Sequence, residues 1–113
     1  MEQQHSNFTR HATDCGIVLV DIDLFKHVND SYGHLTGDKV LTEFATLLVK
    51  NVRKTDHVGR WGGEEFIVIC PNIGLKQTEQ VTHKLADAIR AFPFSHGEKM
   101  SASFGVTSPA YYP

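Results

Sequence analysis

Two rhythms of hydrophobic and polar positions run along this chain. Gly16-Ile17-Val18-Leu19-Val20 is a continuous apolar run of strand length, which predicts a central strand buried on both faces. It stops at Asp21-Ile22-Asp23, where carboxylates flank one apolar residue. Asp23 is placed to cap a short helix carrying Leu24, Phe25 and Val28, and Gly33 ends that helix. The period then becomes helical from Thr36 to Arg53, with Val40, Phe44, Leu47, Leu48 and Val52 on one stripe. His57 to Trp61 predicts a short strand, and Gly62-Gly63 a tight turn. Glu65 to Cys70 predicts the returning strand, which Pro71 ends. A second amphipathic helix is expected over Leu75 to Phe92, with Val81, Leu85, Ala88, Ile89 and Phe92 inward, until Pro93 breaks it. Finally Met100, Ala102, Phe104 and Val106 alternate with Ser101, Ser103 and Gly105, the pattern of a last strand.

The order is βαββαβ with the first helical connection doubled. The fold class expected is α/β (α+β), a ferredoxin-like core with a mainly antiparallel central sheet and flanking helices. Right-handed crossovers put the first strand beside the third in the middle of the sheet, with the hairpin strand at an edge. The end of the first strand at Asp21 then lies next to the glycine turn at Glu64. Residues 1–14 show no periodicity and are expected to be a flexible lead-in, leaving 15–113 as one domain.

Bulk properties narrow the partners. The chain has 113 residues, 41% hydrophobic and 21% charged, as in an ordinary globular domain. A net charge of −2 supplies no basic field for a nucleic-acid polymer, so any nucleotide must be recognised locally. Met1 to Asp14 is polar, with no apolar stretch of signal or membrane-span length, so this segment is expected to make no membrane contact. Cys15 and Cys70 have no metal-like spacing and read as reduced, buried thiols of a cytoplasmic protein. The seven histidines are scattered and read mostly as surface residues.

The candidate chemistry centres on Arg60-Trp61-Gly62-Gly63-Glu64-Glu65-Phe66. A bare glycine tip lets phosphates approach backbone N–H groups, and adjacent carboxylates can hold a hard cation. Alone, such a stretch is more often a plain acidic hairpin. The second acidic strand end changes that balance. Asp21 and Glu64 are the expected ligands for Mg²⁺ or Mn²⁺, with the Ile22 carbonyl as a third oxygen. Two such ions would orient an in-line attack on phosphate. Glu65 is either a ligand to the second ion or a rim charge. Phe25 reads as packed, and Lys26 as either a phosphate contact or a solvated lysine. Asn29, His34 and Asp38 gather near the turn between the helices. They serve either turn and capping needs or a purine edge.

Asp21-Ile22-Asp23-x-Phe25-Lys26-x-x-Asn29-Asp30-x-x-Gly33-His34-x-x-Gly37-Asp38, followed by Arg60-x-Gly62-Gly63-Glu64-Glu65-Phe66, resembles the GGDEF family of diguanylate cyclases. The likeness runs from about Cys15 to Val106. It implies a nucleotidyl-cyclase, palm-like fold and condensation of two GTP into cyclic di-GMP and two pyrophosphates by a homodimer. By resemblance, Asp21, the Ile22 carbonyl, Glu64 and Glu65 hold two Mg²⁺ (or Mn²⁺) per site. Glu64 is also the base for the 3′-hydroxyl, and Lys26 steadies the phosphates. Phe25, Asn29, His34, Asp38, Gly62 and Gly63 line the substrate. Arg53-Lys54-Thr55-Asp56 matches the family's inhibitory Arg-x-x-Asp motif, which binds the product, and Lys84 could add a cationic contact.

The family's opening pattern and its closing helix and strand have no counterpart here. The expectation is therefore reduced activity, with oligomerisation through bared apolar surface, and a sensory domain elsewhere in a full-length protein that is either cytoplasmic or membrane-attached. The competing reading is a catalytically weak or inactive module that senses cyclic di-GMP or GTP. A third is a nucleotidyl cyclase for another base.

Overall fold

The computed structural model describes residues 15–108; the expected lead-in at 1–14 lies outside the described residues. Their order is β1 (Gly16–Ile22), α1 (Phe25–Tyr32), α2 (His34–Lys50), β2 (His57–Arg60), β3 (Glu65–Cys70), α3 (Leu75–Ala91) and β4 (Ala102–Thr107). The four strands form one sheet in the order β2-β3-β1-β4, and every neighbouring pair is antiparallel. This is the expected βαββαβ arrangement, with β1 and β3 at the centre.

Strand alternation sorts β1 into two faces. Val18, Val20 and Ile22 are buried against the helices, while Ile17 and Leu19 are half-buried and Asp21 is exposed. The expectation of burial on both faces is therefore corrected: among the described residues, the opposite face of β1 is only partly covered. Phe66, Val68 and Cys70 of β3 join the buried face, and Phe44 and Leu48 of α2 with Leu85 and Ile89 of α3 close it. Each such side chain contributes about 1.5–3 kcal/mol of transfer free energy. Phe94, beyond α3, stacks on Phe44 at 5.0 Å and extends the core under α2.

Local chemistry sets the element ends. Gly33 takes φ +90°, a value costly for any residue with a Cβ. Its N–H closes α1 on the Asn29 carbonyl at 2.9 Å, and its own carbonyl accepts from Gly37 N–H at 3.0 Å to start α2. Helix α2 thus begins at His34, two residues earlier than the apolar stripe indicates, because a glycine hinge can end one helix and open the next. Gly16 makes a close approach possible. A Cβ there would lie 1.9 Å from Thr78 Oγ1, so α3 rests directly on the start of β1. Thr78 is fully buried, and its hydroxyl donates to the Gly74 carbonyl at 2.7 Å.

Candidate active site at the glycine turn

The turn between β2 and β3 is held from inside. Trp61 N–H and Gly62 N–H both donate to the Glu65 carbonyl, at 2.7 and 3.2 Å. Arg60 reaches over the bend, donating from Nε to the Gly62 carbonyl at 3.2 Å and from Nη2 to the Gly63 carbonyl at 2.6 Å. The glycines leave room for this. A Cβ on Gly62 would stand 2.7 Å from Glu65 Oε1. The turn is therefore a fixed shelf rather than a loose loop.

The end of β1 abuts that shelf. Asp21 is the direct cross-strand partner of Glu65, and Ile22 N–H donates to the Glu64 carbonyl at 3.1 Å. Asp21, Ile22, Glu64 and Glu65 thus meet at one end of the two central strands, although 42 or more positions separate the two acidic stretches in the chain. Asp21 and Glu65 are exposed and share one face of the sheet; Glu64 is half-buried. A groove of about 260 Å³ opens there, lined by Leu19, Asp21, Trp61, Glu65 and Ser103. Trp61 is 70% exposed at its rim.

The donor set is all oxygen. Among the described residues no group of three or more His, Cys, Asp or Glu side chains is arranged to hold a metal ion. This is no closed cage. A pair of carboxylates with a backbone carbonyl instead suits a hard cation that completes its shell with water and phosphate oxygens, as Mg²⁺ does.

Asp23 departs from expectation. Helix α1 has Leu24 as its N-cap residue and no side-chain cap bond. The Asp23 carboxylate turns instead to the start of β4, accepting from Ser101 Oγ just before the strand and from Ser103 Oγ within it, each at 2.7 Å. These two hydroxyl donors displace the cap contact. The alternation of Ser101 and Ser103 with apolar residues was the sequence signal for these partners.

The purine-edge candidates are gathered by the hinge between α1 and α2. Phe25 is buried, Lys26 is exposed on the first turn of α1, and Asn29 is half-buried. A Cβ on Gly37 would lie 1.8 Å from Asn29 Oδ1, so the carboxamide rests against Gly37, next to Asp38. Asp38 and His34 are exposed. Asp38 lines a cleft of about 450 Å³ shared with Leu41 and Thr42 of α2 and with Arg60 and Phe66 of the hairpin. Asp38, among the base candidates, therefore borders the same space as Arg60 and Phe66, which flank the glycine turn.

Arg53 and Asp56 lie at the opposite end of the hairpin, before β2. They are paired with each other. Arg53 Nη2 and Nε donate to Asp56 Oδ1 at 2.9 and 3.2 Å, and the Arg53 backbone N–H donates to Oδ2 at 2.8 Å. Nη2 also donates to the Pro71 carbonyl at 2.7 Å. The hydrogen bonds that the Arg53 guanidinium donates to Asp56 hold it above its ordinary pKa. Cys70 is buried beside this pair, and burial first, with the Asp56 charge second, pushes its thiol up to about 11. Cys15 is a half-buried free thiol rather than a buried one. Lys84 is exposed on α3, and among the described residues no hydrogen bond or ion pair joins it to Arg53 or Asp56.

Residues 1–111 match the family model described as diguanylate cyclase, GGDEF domain. The chain belongs to the GGDEF domain family. Diguanylate cyclase DgcP of Pseudomonas aeruginosa is 41% identical over 111 residues, which is 96% of this chain and 16% of that protein. The GGDEF fold is equally clear in solved structures. Diguanylate cyclase SiaD of Pseudomonas aeruginosa, in complex with its activator SiaC, superposes with a TM-score of 0.83 at 34% identity, over 95% of this chain and 42% of that one. The active GGEEF domain of a Vibrio cholerae diguanylate cyclase gives 0.82 at 29% identity, over 94% and 69%. This GGDEF chain thus spans less than a fifth of DgcP.

Proposed function

We propose that this GGDEF domain condenses two GTP molecules into cyclic di-GMP and two pyrophosphates, acting as a homodimer. The observation that carries the reading is the junction of β1 with the glycine turn. Asp21 pairs with Glu65, and Ile22 is hydrogen-bonded to Glu64, so acids from distant stretches share one strand end. Divalent cations bound there would supply charge neutralisation for the triphosphate and lower the cost of forming an alkoxide.

The chain's own residues divide the remaining work. Glu64 takes the proton of the 3′-hydroxyl. That oxygen forms a bond to the α-phosphorus of the opposite nucleotide as the bond to the bridging oxygen breaks and pyrophosphate leaves. Lys26 offsets phosphate charge. Asn29 and Asp38 present a donor-acceptor pair and an acceptor to the guanine edge beside the hinge, a combination that suits guanine N1–H, N2–H and O6. One domain holds only one of the two nucleotides, so turnover requires two copies facing each other. Positioning and charge neutralisation then supply most of the acceleration.

The product is proposed to bind back at Arg53 and Asp56. A guanidinium fork suits guanine O6 and N7, and a carboxylate suits N1 and N2. Their mutual pairing supports a site whose two halves are already adjacent, with the ligand exchanging Arg53–Asp56 contacts for its own.

The test incubates the domain with GTP and Mg²⁺ and resolves nucleotides by chromatography. Cyclic di-GMP is expected, with a rate per chain that rises with protein concentration. Cyclic di-GMP binding with no turnover at any concentration overturns the cyclase reading in favour of the sensor.

A further inference from the structure

The cross-strand row through Asp21 continues beyond Glu65. On its other side Asp21 is paired with Ser103 of β4. The Ser103 hydroxyl donates to Asp23 Oδ1, and Ser101 donates to Oδ2. The Asp23 backbone N–H also donates to the Ser101 carbonyl at 3.0 Å. Both carboxylate oxygens of Asp23 and its amide are therefore committed to Ser101, just before β4, and Ser103 within it.

The next residue explains why such a brace is needed. Leu24 stands at φ 57° and ψ 30°, in the left-handed region, and is 80% exposed. A leucine rarely adopts that conformation, and its exposed side chain supplies no packing to hold it there. Directly after it the chain enters α1, with His27 N–H donating to the Leu24 carbonyl at 3.0 Å. The bend follows the Ile22 carbonyl by two residues. What fixes it is the grip of Ser101 and Ser103 on Asp23.

We infer that Asp23, gripped by Ser101 and Ser103, is a positioning residue: it sets the direction of the Asp21 carboxylate and the Ile22 carbonyl toward the divalent cation. The inference rests on the cation-dependent reading of this strand end. Asp21 carries no hydrogen bond or ion pair to another described side chain, whereas Asp23 is fully engaged. One aspartate of Asp21-Ile22-Asp23 is held so that the other is aimed. Supporting groups of this kind commonly carry about 10–100-fold in metal affinity.

The test titrates Mn²⁺ into the whole chain, saturated with a GTP analogue whose α–β bridge does not cleave, and follows free Mn²⁺ by electron paramagnetic resonance. Replacing both Ser101→Ala and Ser103→Ala changes no proposed ligand. It is expected to weaken Mn²⁺ binding about tenfold, the lower end of the range for supporting groups. Ser101→Thr with Ser103→Thr restores both hydroxyls and should return affinity to about twofold of the parent. An alanine pair with the parent's affinity overturns the inference and leaves the cyclase reading standing, as does a threonine pair as impaired as alanine. Should the alanine pair not fold, each single alanine variant retains one donor and must show an intermediate loss; parental affinity in both overturns the inference. A parent chain that binds no Mn²⁺ with the analogue removes the cyclase reading and this inference together.

Discussion

The two ends of the β2–β3 hairpin carry similar residue types in opposite states. At the glycine turn, Asp21, Glu64 and Glu65 form no ion pair among the described residues. At the other end Arg53 and Asp56 are joined at 2.9 Å, and the Asp56 side chain is only 1% exposed. Only the four residues of β2 separate these regions along one edge of the sheet. Unpaired acids clustered at a strand end repel one another and cost the fold some stability, but they stand ready for a cation. A paired, half-buried couple supports the fold locally and must be opened by whatever binds it. On the proposed function, the first region suits chemistry on an incoming charge and the second the exchange of one set of contacts for another.

Glu64→Gln is expected to break the contrast most severely. Loss of the carboxylate removes both a cation ligand and the proposed base. Cyclic di-GMP formation should fall about a thousandfold or more, consistent with losing a base and a charge clamp together. The thermal midpoint should hold or rise slightly, because a like-charge repulsion is relieved. Chromatographic assay and a melting curve on the same sample check both halves.

Arg53→Ala probes the opposite end. Asp56 is left with one backbone donor in a nearly buried place, which should cost about 1–2 kcal/mol of stability in urea unfolding. Turnover at low product should persist, and inhibition by added cyclic di-GMP should vanish. If inhibition survives, Arg53 is not the product's contact.

Gly37→Ala tests the hinge. The new Cβ meets Asn29 Oδ1 at 1.8 Å, so the carboxamide must move. The Michaelis constant for GTP is expected to rise about tenfold, the scale of one misplaced polar contact. Discrimination against ITP, which lacks the N2 amino group, should narrow. An unchanged GTP to ITP ratio would remove Asn29 from the guanine site.

The smallest effect concerns pH. The Cys70 thiol is neutral in the fold up to about 11, against an ordinary value of 9.0. Between those values the unfolded chain releases this proton and the folded one keeps it, so stability attributable to Cys70 is intact below pH 9 and declines toward pH 11. Cys70→Ala should flatten that part of a urea-midpoint profile. At pH 8 iodoacetamide should label Cys15 faster than Cys70 in the native protein.

Strand order was legible in the chain because alternation and the crossover rule leave few topologies. The pairing of Asp21 with the glycine turn followed from that order. Element ends were less legible. Helix α2 runs from His34 to Lys50 rather than from Thr36 to Arg53, since a glycine hinge at one end and an asparagine cap at the other leave no periodic trace. Asp23 was misread as a cap because capping is a local rule, and the two serines that claim it are 78 and 80 positions away. The Arg53–Asp56 motif was visible as letters, but its closure onto the Pro71 carbonyl was not.

Hydropathy rhythm and two short motifs determined by themselves the number of elements, their order, the family and the residues on which chemistry is proposed. These are near-neighbour properties, written in spacing and residue type. Only the folded chain decided which aspartate of Asp21-Ile22-Asp23 is free and which is held, that Arg60 clasps both glycine carbonyls, and that the Arg53–Asp56 pair is closed on itself. Those outcomes depend on which distant donor reaches an acceptor first. That competition is settled by the packing of strands and helices, not by the order of residues along the backbone.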